Sequence, residues 1–202
     1  MDNGAGTLVM LGAARALARC PQAIDSCLRF ICFTGEEMGL IGSQHYVAAH
    51  QDELNNIRFM LNLDGTGREA ELGVAIQGWT DLILPLRSMV KDMRDSTAVD
   101  NYVALYSDMY SFLAAGVPSA ALLPMSQAPV RNWGHTAADT LDKVSLRDLR
   151  RDAILTGRLL LRVANADIWP AHRKSPTEVA ALLTDYGLRE VLEIEGRWPF
   201  SN

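Results

Sequence analysis

Two apolar runs, each closed by acid beside glycine, limit what this chain can fold into more than any other feature. The first, Leu28-Arg29-Phe30-Ile31-Cys32-Phe33, has the length and the aromatic and β-branched content of a strand, and Gly35 breaks it just before Glu36 and Glu37. The second, Ile57 to Leu63, ends at Asp64 and Gly65. Between them Leu40, Ile41, Tyr46 and Val47 carry the apolar spacing of a helix from about Leu40 to His50. Strand, helix, strand in this order predicts a parallel pair with its carboxylates at the C-terminal edge, where chemistry collects in open α/β sheets.

The rest of the chain extends the alternation. The turn Asp2-Asn3-Gly4-Ala5-Gly6 opens into a helix that runs to about Arg19 and stops before Pro21. Further strands are expected at Leu72 to Ile76 and Ser119 to Leu123, with a strand or extended arm from Val99 to Leu105. Helices are expected at Leu82 to Met93, with Pro85 in its first turn, and up to Ala115 behind a Ser107-Asp108 cap. A long helix from Leu146 to Ala166, capped by Ser145, turns Leu149, Ala153, Thr156, Leu160 and Val163 toward the sheet, and a short one covers Glu178 to Asp185. The stretch 124–135 has no period and reads as a loop. The fold class is therefore α/β, a three-layer helix-sheet-helix arrangement with a mostly parallel central sheet. Residues 1–170 form the catalytic-type domain and 171–202 a C-terminal helical tail. An Asx- and Gly-rich turn ordinarily follows a strand, so the sheet is expected to be N-terminally truncated.

With 202 residues, 49% of them hydrophobic and 21% charged, the chain has enough apolar residues for a sizeable core. A net charge of -5 without a Lys/Arg tract argues against a nucleic-acid partner. No apolar run reaches transmembrane length. Cys20, Cys27 and Cys32 lack metal-finger spacing and are expected as buried free thiols; Cys27 and Cys32, an odd number of positions apart, face opposite sides of one strand.

Asp2, Glu36, Glu37, Asp64 and His135 ask for a common explanation. Each has an ordinary one alone: a helix-start turn, a solvated acidic pair, an Asx turn, an unligated loop histidine. Together they are oxygen and nitrogen donors of the kind zinc accepts at catalytic sites, and a bound cation would hold the clustered acids ionised. Of two adjacent glutamates, one can bind metal while its neighbour takes a proton from water.

The segments FTGEEMGLIGSQHYV, NLDGTG, SDMYSFLAAGVPSA and HTAADTLDKV, with the opening DNGAG, resemble the M28 family of zinc metallopeptidases, the aminopeptidase and glutamate-carboxypeptidase-like group. The resemblance covers about residues 2 to 166. It implies zinc, two ions in relatives and one or two here, and a peptide or small amide substrate. It implies that Asp2 bridges the ions, that Glu37 and His135 ligate one and Asp64 the other, and that Glu36 is the general base. Asp108 would stand behind the ligands, Tyr106 or Tyr110 would stabilise an oxyanion, and Asp139 would brace the His135 loop. Two departures bear on activity. The family's histidine on the strand before DNGAG has no counterpart, and its usual SDH reads Ser107-Asp108-Met109. Two alternatives to a working exopeptidase follow, a non-catalytic relative acting through protein contacts and a single-zinc acyltransferase like glutaminyl cyclase. An apolar substrate pocket is expected from loops 124–135 and 65–71, with Met125, Trp133 and Leu72.

Overall fold

A computed structural model describes residues 2–20, 24–67, 70–124 and 133–200. Helix α1 (Gly4–Leu17) starts at Asn3, whose side chain accepts the Gly6 N–H and satisfies one of the amides a helix start leaves unpaired. Helix α2 (Ile41–Ala49) is followed by a 3-10 turn at Gln51–Asn56 and the short strand β1 (Met60–Asn62). Strand β2 (Leu72–Ile76), helix α3 (Ile83–Asp92), strand β3 (Val99–Asn101), helix α4 (Met109–Ala114) and strand β4 (Ser119–Pro124) come next. Helices α5 (Leu146–Ala164), α6 (Pro176–Asp185) and α7 (Arg189–Ile194) complete the chain.

The four strands lie in the order β1-β4-β2-β3. The β1–β4 and β2–β3 pairs are parallel, whereas β4 runs antiparallel to β2. Helices cover the sheet, α1 against α5 forming the largest helix–helix contact. Strand β2 is buried along its whole length, as expected of a strand covered on both faces. The core centres on Val74, Ile76, Leu82, Leu86, Leu122 and Leu159.

Three expectations are corrected. Residues 27–33 form no strand, and their backbone makes no backbone hydrogen bond to any other described residue. A strand is defined by its partner, and none of the described strands pairs with this segment. Cys27 and Cys32, placed on it, are therefore both exposed rather than buried, and Cys20 is half-buried; all three are free thiols. The face of α5 is also rotated from the one expected. Thr156 and Val163 are buried, but Leu155 and Leu159 reach the core while Leu149, Ala153 and Leu160 are only half-buried. This helix is wedged between the sheet and α1, where Gly157 sits against Ala13, so apolar positions on two faces are used.

The tail folds as two helices rather than one. Ser175 and Glu178 form a reciprocal capping box at the start of α6, with Pro176 at its first position. Leu183 of α6 and Leu192 of α7 are fully buried in the same core as the sheet.

Candidate metal and catalytic site

The carboxylates meet where the sheet's C-terminal edge adjoins two turns. Gly35, at φ 68°, reverses the chain after the extended segment, and the N–H groups of Gly39 and Leu40 close onto the Glu36 carbonyl. Gly42 at the start of α2 donates to Thr34, and an added Cβ there would lie 2.5 Å from the Thr34 oxygen. This close approach fixes the Glu36-Glu37 turn against the helix that follows it.

Asp2 comes to the same edge by a second tight contact. Gly6 passes so near the end of β1 that a Cβ on it would fall 1.8 Å from the Leu63 carbonyl oxygen. The start of α1 is thereby seated over Leu63 and Asp64. The backbone N–H of Asp2 donates to Asp139 Oδ2 at 2.8 Å, which ties the third loop in. His135, itself at φ 60°, turns Nε2 to 2.8 Å from Glu37 Oε1 and 3.3 Å from Asp2 Oδ2.

One donor atom from each of Asp2, Glu37 and His135 lies within 4.8 Å of the others, the spacing that a single cation could bridge. Two carboxylates and an imidazole are a donor set that zinc accepts with a position left for water. Asp64 is not part of this trio. It accepts the Ser107 hydroxyl at 2.6 Å, and Ser107 Oγ accepts the Asn62 amide at 2.7 Å. That relay orients Asp64 from β1 and from the loop before α4.

Behind these groups, partial burial and the acids' mutual repulsion act on two carboxyls. Burial raises the Glu36 carboxyl, and the charges of Asp64, Glu37, Asp108 and Asp2 raise it further, to about 7. Burial also raises Asp108, Ser43 opposing by hydrogen bonding and Asp64 adding to the shift. One oxygen of Asp108 is buried without a hydrogen-bond partner. An acid cluster of this kind is a place for a cation.

Asp108 and Ser107 were expected as a helix cap, yet neither side chain caps α4. Ser107 and Ser43 had no signal in the sequence as site residues, because what they touch is set by the fold. Tyr106 donates to Glu195 at 2.7 Å and lies under the Arg197 guanidinium, and the Tyr110 hydroxyl donates to the Arg197 carbonyl at 3.3 Å. Both hydroxyls are thus turned to the C-terminal tail. Of the expected pocket residues, Leu72 lies buried in β2, Trp133 is half-buried under Lys143, and Met125 is outside the described residues.

The fold sets the class. The chain superposes on BSAP, a zinc aminopeptidase from Bacillus subtilis, with a TM-score of 0.68 at 28% identity, over 85% of this chain and 44% of that one. It superposes on the aminopeptidase from Aneurinibacillus sp. strain AM-1 with a TM-score of 0.67 at 30% identity, over 86% of this chain and 40% of that one. Residues 1–157 match peptidase family M28, and the chain belongs to that family. Aminopeptidase YwaD of Bacillus subtilis (strain 168) is 31% identical over 159 residues, which are 74% of this chain and 34% of that protein. Leucine aminopeptidase 1 of Pyrenophora teres f. teres (strain 0-1) is 26% identical over 183 residues, 82% of this chain and 46% of that protein. The chain thus spans less than half the length of these relatives. No helix among the described residues is long and apolar enough to cross a membrane.

Proposed function

We propose that this chain carries the base and a zinc site of an exopeptidase that hydrolyses a terminal peptide bond, with Asp2, Glu37 and His135 as zinc ligands and Glu36 as general base. The observation that carries the reading is the convergence of three donor atoms within 4.8 Å beside a glutamate raised to about 7. Zinc bound there would acidify a water molecule and polarise a substrate carbonyl. Glu36 takes a proton from the attacking water and returns it to the departing amine, and the partial burial that resists its ionisation lets it hold that proton between the two transfers. Asp64, held by Ser107, stands ready as a donor toward a second ion, and Asp139 keeps Asp2 in place through its backbone N–H. The relatives named as aminopeptidases favour a substrate with a free amino terminus.

The test pairs elemental analysis with hydrolysis of an amino-acyl nitroanilide and its N-acetylated counterpart. The expected result is at least one zinc per chain, turnover of the free-amine substrate, and a Glu36→Gln variant that keeps zinc and loses about 10²–10⁴-fold in kcat. A folded chain that takes up no zinc, or a Glu36→Gln variant with undiminished turnover, overturns it.

A further inference from the structure

Residues 102–107 join β3 to α4 as an irregular loop, so each buried polar group in it needs a partner of its own. The first half is held by the body of the fold. Tyr102 donates its backbone N–H to the Ile76 carbonyl at 3.0 Å. Gln77, wholly buried, donates to the Tyr102 carbonyl and accepts the Ala104 N–H, both at 2.8 Å. The second half ends at Ser107, and its partners come from the C-terminal tail. Arg197 Nη2 donates to the carbonyl of buried Leu105 at 2.5 Å, and Arg197 Nη1 donates to Glu195 Oε2 at 3.1 Å. Glu195 Oε1 accepts the Tyr106 hydroxyl at 2.7 Å. The guanidinium lies 5.2 Å and 4.9 Å from the ring centroids of Tyr106 and Tyr110, within cation–π reach. Arg197 is itself anchored, since its backbone N–H donates at 2.8 Å to the carbonyl of Leu192, a wholly buried residue.

We propose that Arg197, held in turn by Glu195, is a positioning residue for Asp64, acting through residues 105–107 and the Ser107 hydroxyl. The route is short. Two residues after the carbonyl that Arg197 grips, Ser107 donates to Asp64 Oδ2 at 2.6 Å and accepts the Asn62 amide at 2.7 Å. A hydroxyl placed between two such partners has little freedom, and a loop shift of about 1 Å takes it out of hydrogen-bond range. A planar guanidinium suits this place, because it reaches Leu105 and Glu195 with separate N–H groups while covering two rings. Glu195 and Arg197 lie outside residues 1–157, the stretch that matches the family, so a segment beyond that match becomes a working part of the site. The inference rests on the reading of Asp64 as a donor toward an ion, and its test begins without metal so that the two can fail separately.

The experiment labels the aspartate carboxyl carbons with 13C and follows the Asp64 resonance, assigned with Asp64→Asn, in the metal-free chain at one fixed pH. Ser107→Ala defines the shift produced by losing the hydroxyl. Arg197→Ala is expected to move the resonance in the same direction. Combined with Ser107→Ala it should move it no further than Ser107→Ala alone, because the two act in series. Glu195→Ala, a milder change at an exposed residue, should give a smaller shift of the same sign and keeps the test decisive should Arg197→Ala not fold. Leu192→Ala, which weakens the core of the tail but leaves the Arg197 side-chain bonds in place, should leave the resonance unmoved. With zinc, Arg197→Ala should lower kcat about 10–100-fold at nearly unchanged KM, as loss of an outer partner of a metal donor does. A resonance unmoved by both Arg197→Ala and Glu195→Ala overturns the proposal. So do shifts that add in the double variant, an equal shift in Leu192→Ala, which would report general loosening, or a kcat that Arg197→Ala leaves unchanged. A wild-type chain without zinc or turnover defeats the catalytic reading alone, since the carboxyl shifts are read without either.

Discussion

Glu36 carries a carboxyl whose ionisation the fold resists. Its folded carboxyl is raised from 4.5 to about 7, by burial first and then by Asp64, Glu37, Asp108 and Asp2. A carboxyl raised on folding prefers its protonated form in the native state, so its contribution to stability is full below the unfolded value and is lost as pH rises through about 7. In chelator, the melting temperature should therefore fall between pH 5 and pH 8, and Glu36→Gln, which cannot ionise, should flatten that slope. Zinc should reverse the trend, because its charge favours the ionised acids. Thermal melts across the pH range, with and without metal, decide both points, and a slope unchanged in Glu36→Gln would reject the first. His135 is argued on different grounds. It is exposed and, among the described residues, pairs with Glu37 and Asp2 alone, so His135→Ala should cost little stability while weakening zinc binding by at least about tenfold, as loss of a ligand or of its supporting partner does. Competition titration with a chromogenic chelator measures it; unchanged affinity removes His135 from the ligand set.

At the scale of elements, the seat of α1 on the end of β1 positions Asp2. Gly6→Ala would place a Cβ 1.8 Å from the Leu63 oxygen, backbone against backbone, so the helix must move. Overpacking of this kind costs about 1–3 kcal/mol, and the displacement should also lower zinc affinity, since Asp2 precedes Asn3 and its cap. Gly4→Ala is the control, with nothing within 4 Å of the added methyl. It should be neutral or stabilise by up to about 1 kcal/mol through helix propensity. Equal destabilisation by both would mean that α1 is not seated as described. These elements also show what the sequence could say. Helices α1, α2 and α5 and strands β2 and β4 were legible because their signals are local: a period, a cap, a proline after the end. Residues 27–33 had an equally good local signal and form no strand, since a strand also needs a pairing partner and none of the four described strands lies beside them. The acids Glu36, Glu37 and Asp64 were readable as ends of apolar runs. Ser107 donating to Asp64 and the tail residues against Tyr106 and Tyr110 were not, because sequence distances of 43 and 89 positions leave no periodic trace.

For the molecule as a whole, the question is whether residues 171–202 fold apart from the body. Their contacts argue against it. Leu183 and Leu192 are fully buried in the cluster that holds Ile76 and Leu82. Trp79 donates its indole N–H to the His172 carbonyl at 2.9 Å, and Arg197 donates to the Leu105 carbonyl while covering the rings of Tyr106 and Tyr110. Gly116, at φ 78°, lets the chain pass so near Lys174 that a Cβ would lie 2.0 Å from its carbonyl oxygen. A segment joined this way should melt with the rest. Leu192→Ala removes a wholly buried side chain and should cost about 2–5 kcal/mol, taken from a total that is itself about 5–15 kcal/mol. Because the cavity opens in a shared core, that loss should move one cooperative transition rather than create a second. Urea unfolding followed by far-ultraviolet circular dichroism, dominated by the body's helices, and by tryptophan fluorescence in variants that keep only Trp79 or only Trp198 would show it. Coincident midpoints, shifted together by Leu192→Ala, are the expected outcome. A Trp198 transition that separates from the Trp79 one and alone responds to the substitution would mean that the tail is a unit of its own, and that its contacts with Tyr106 and Tyr110 can open while the site's scaffold stays folded.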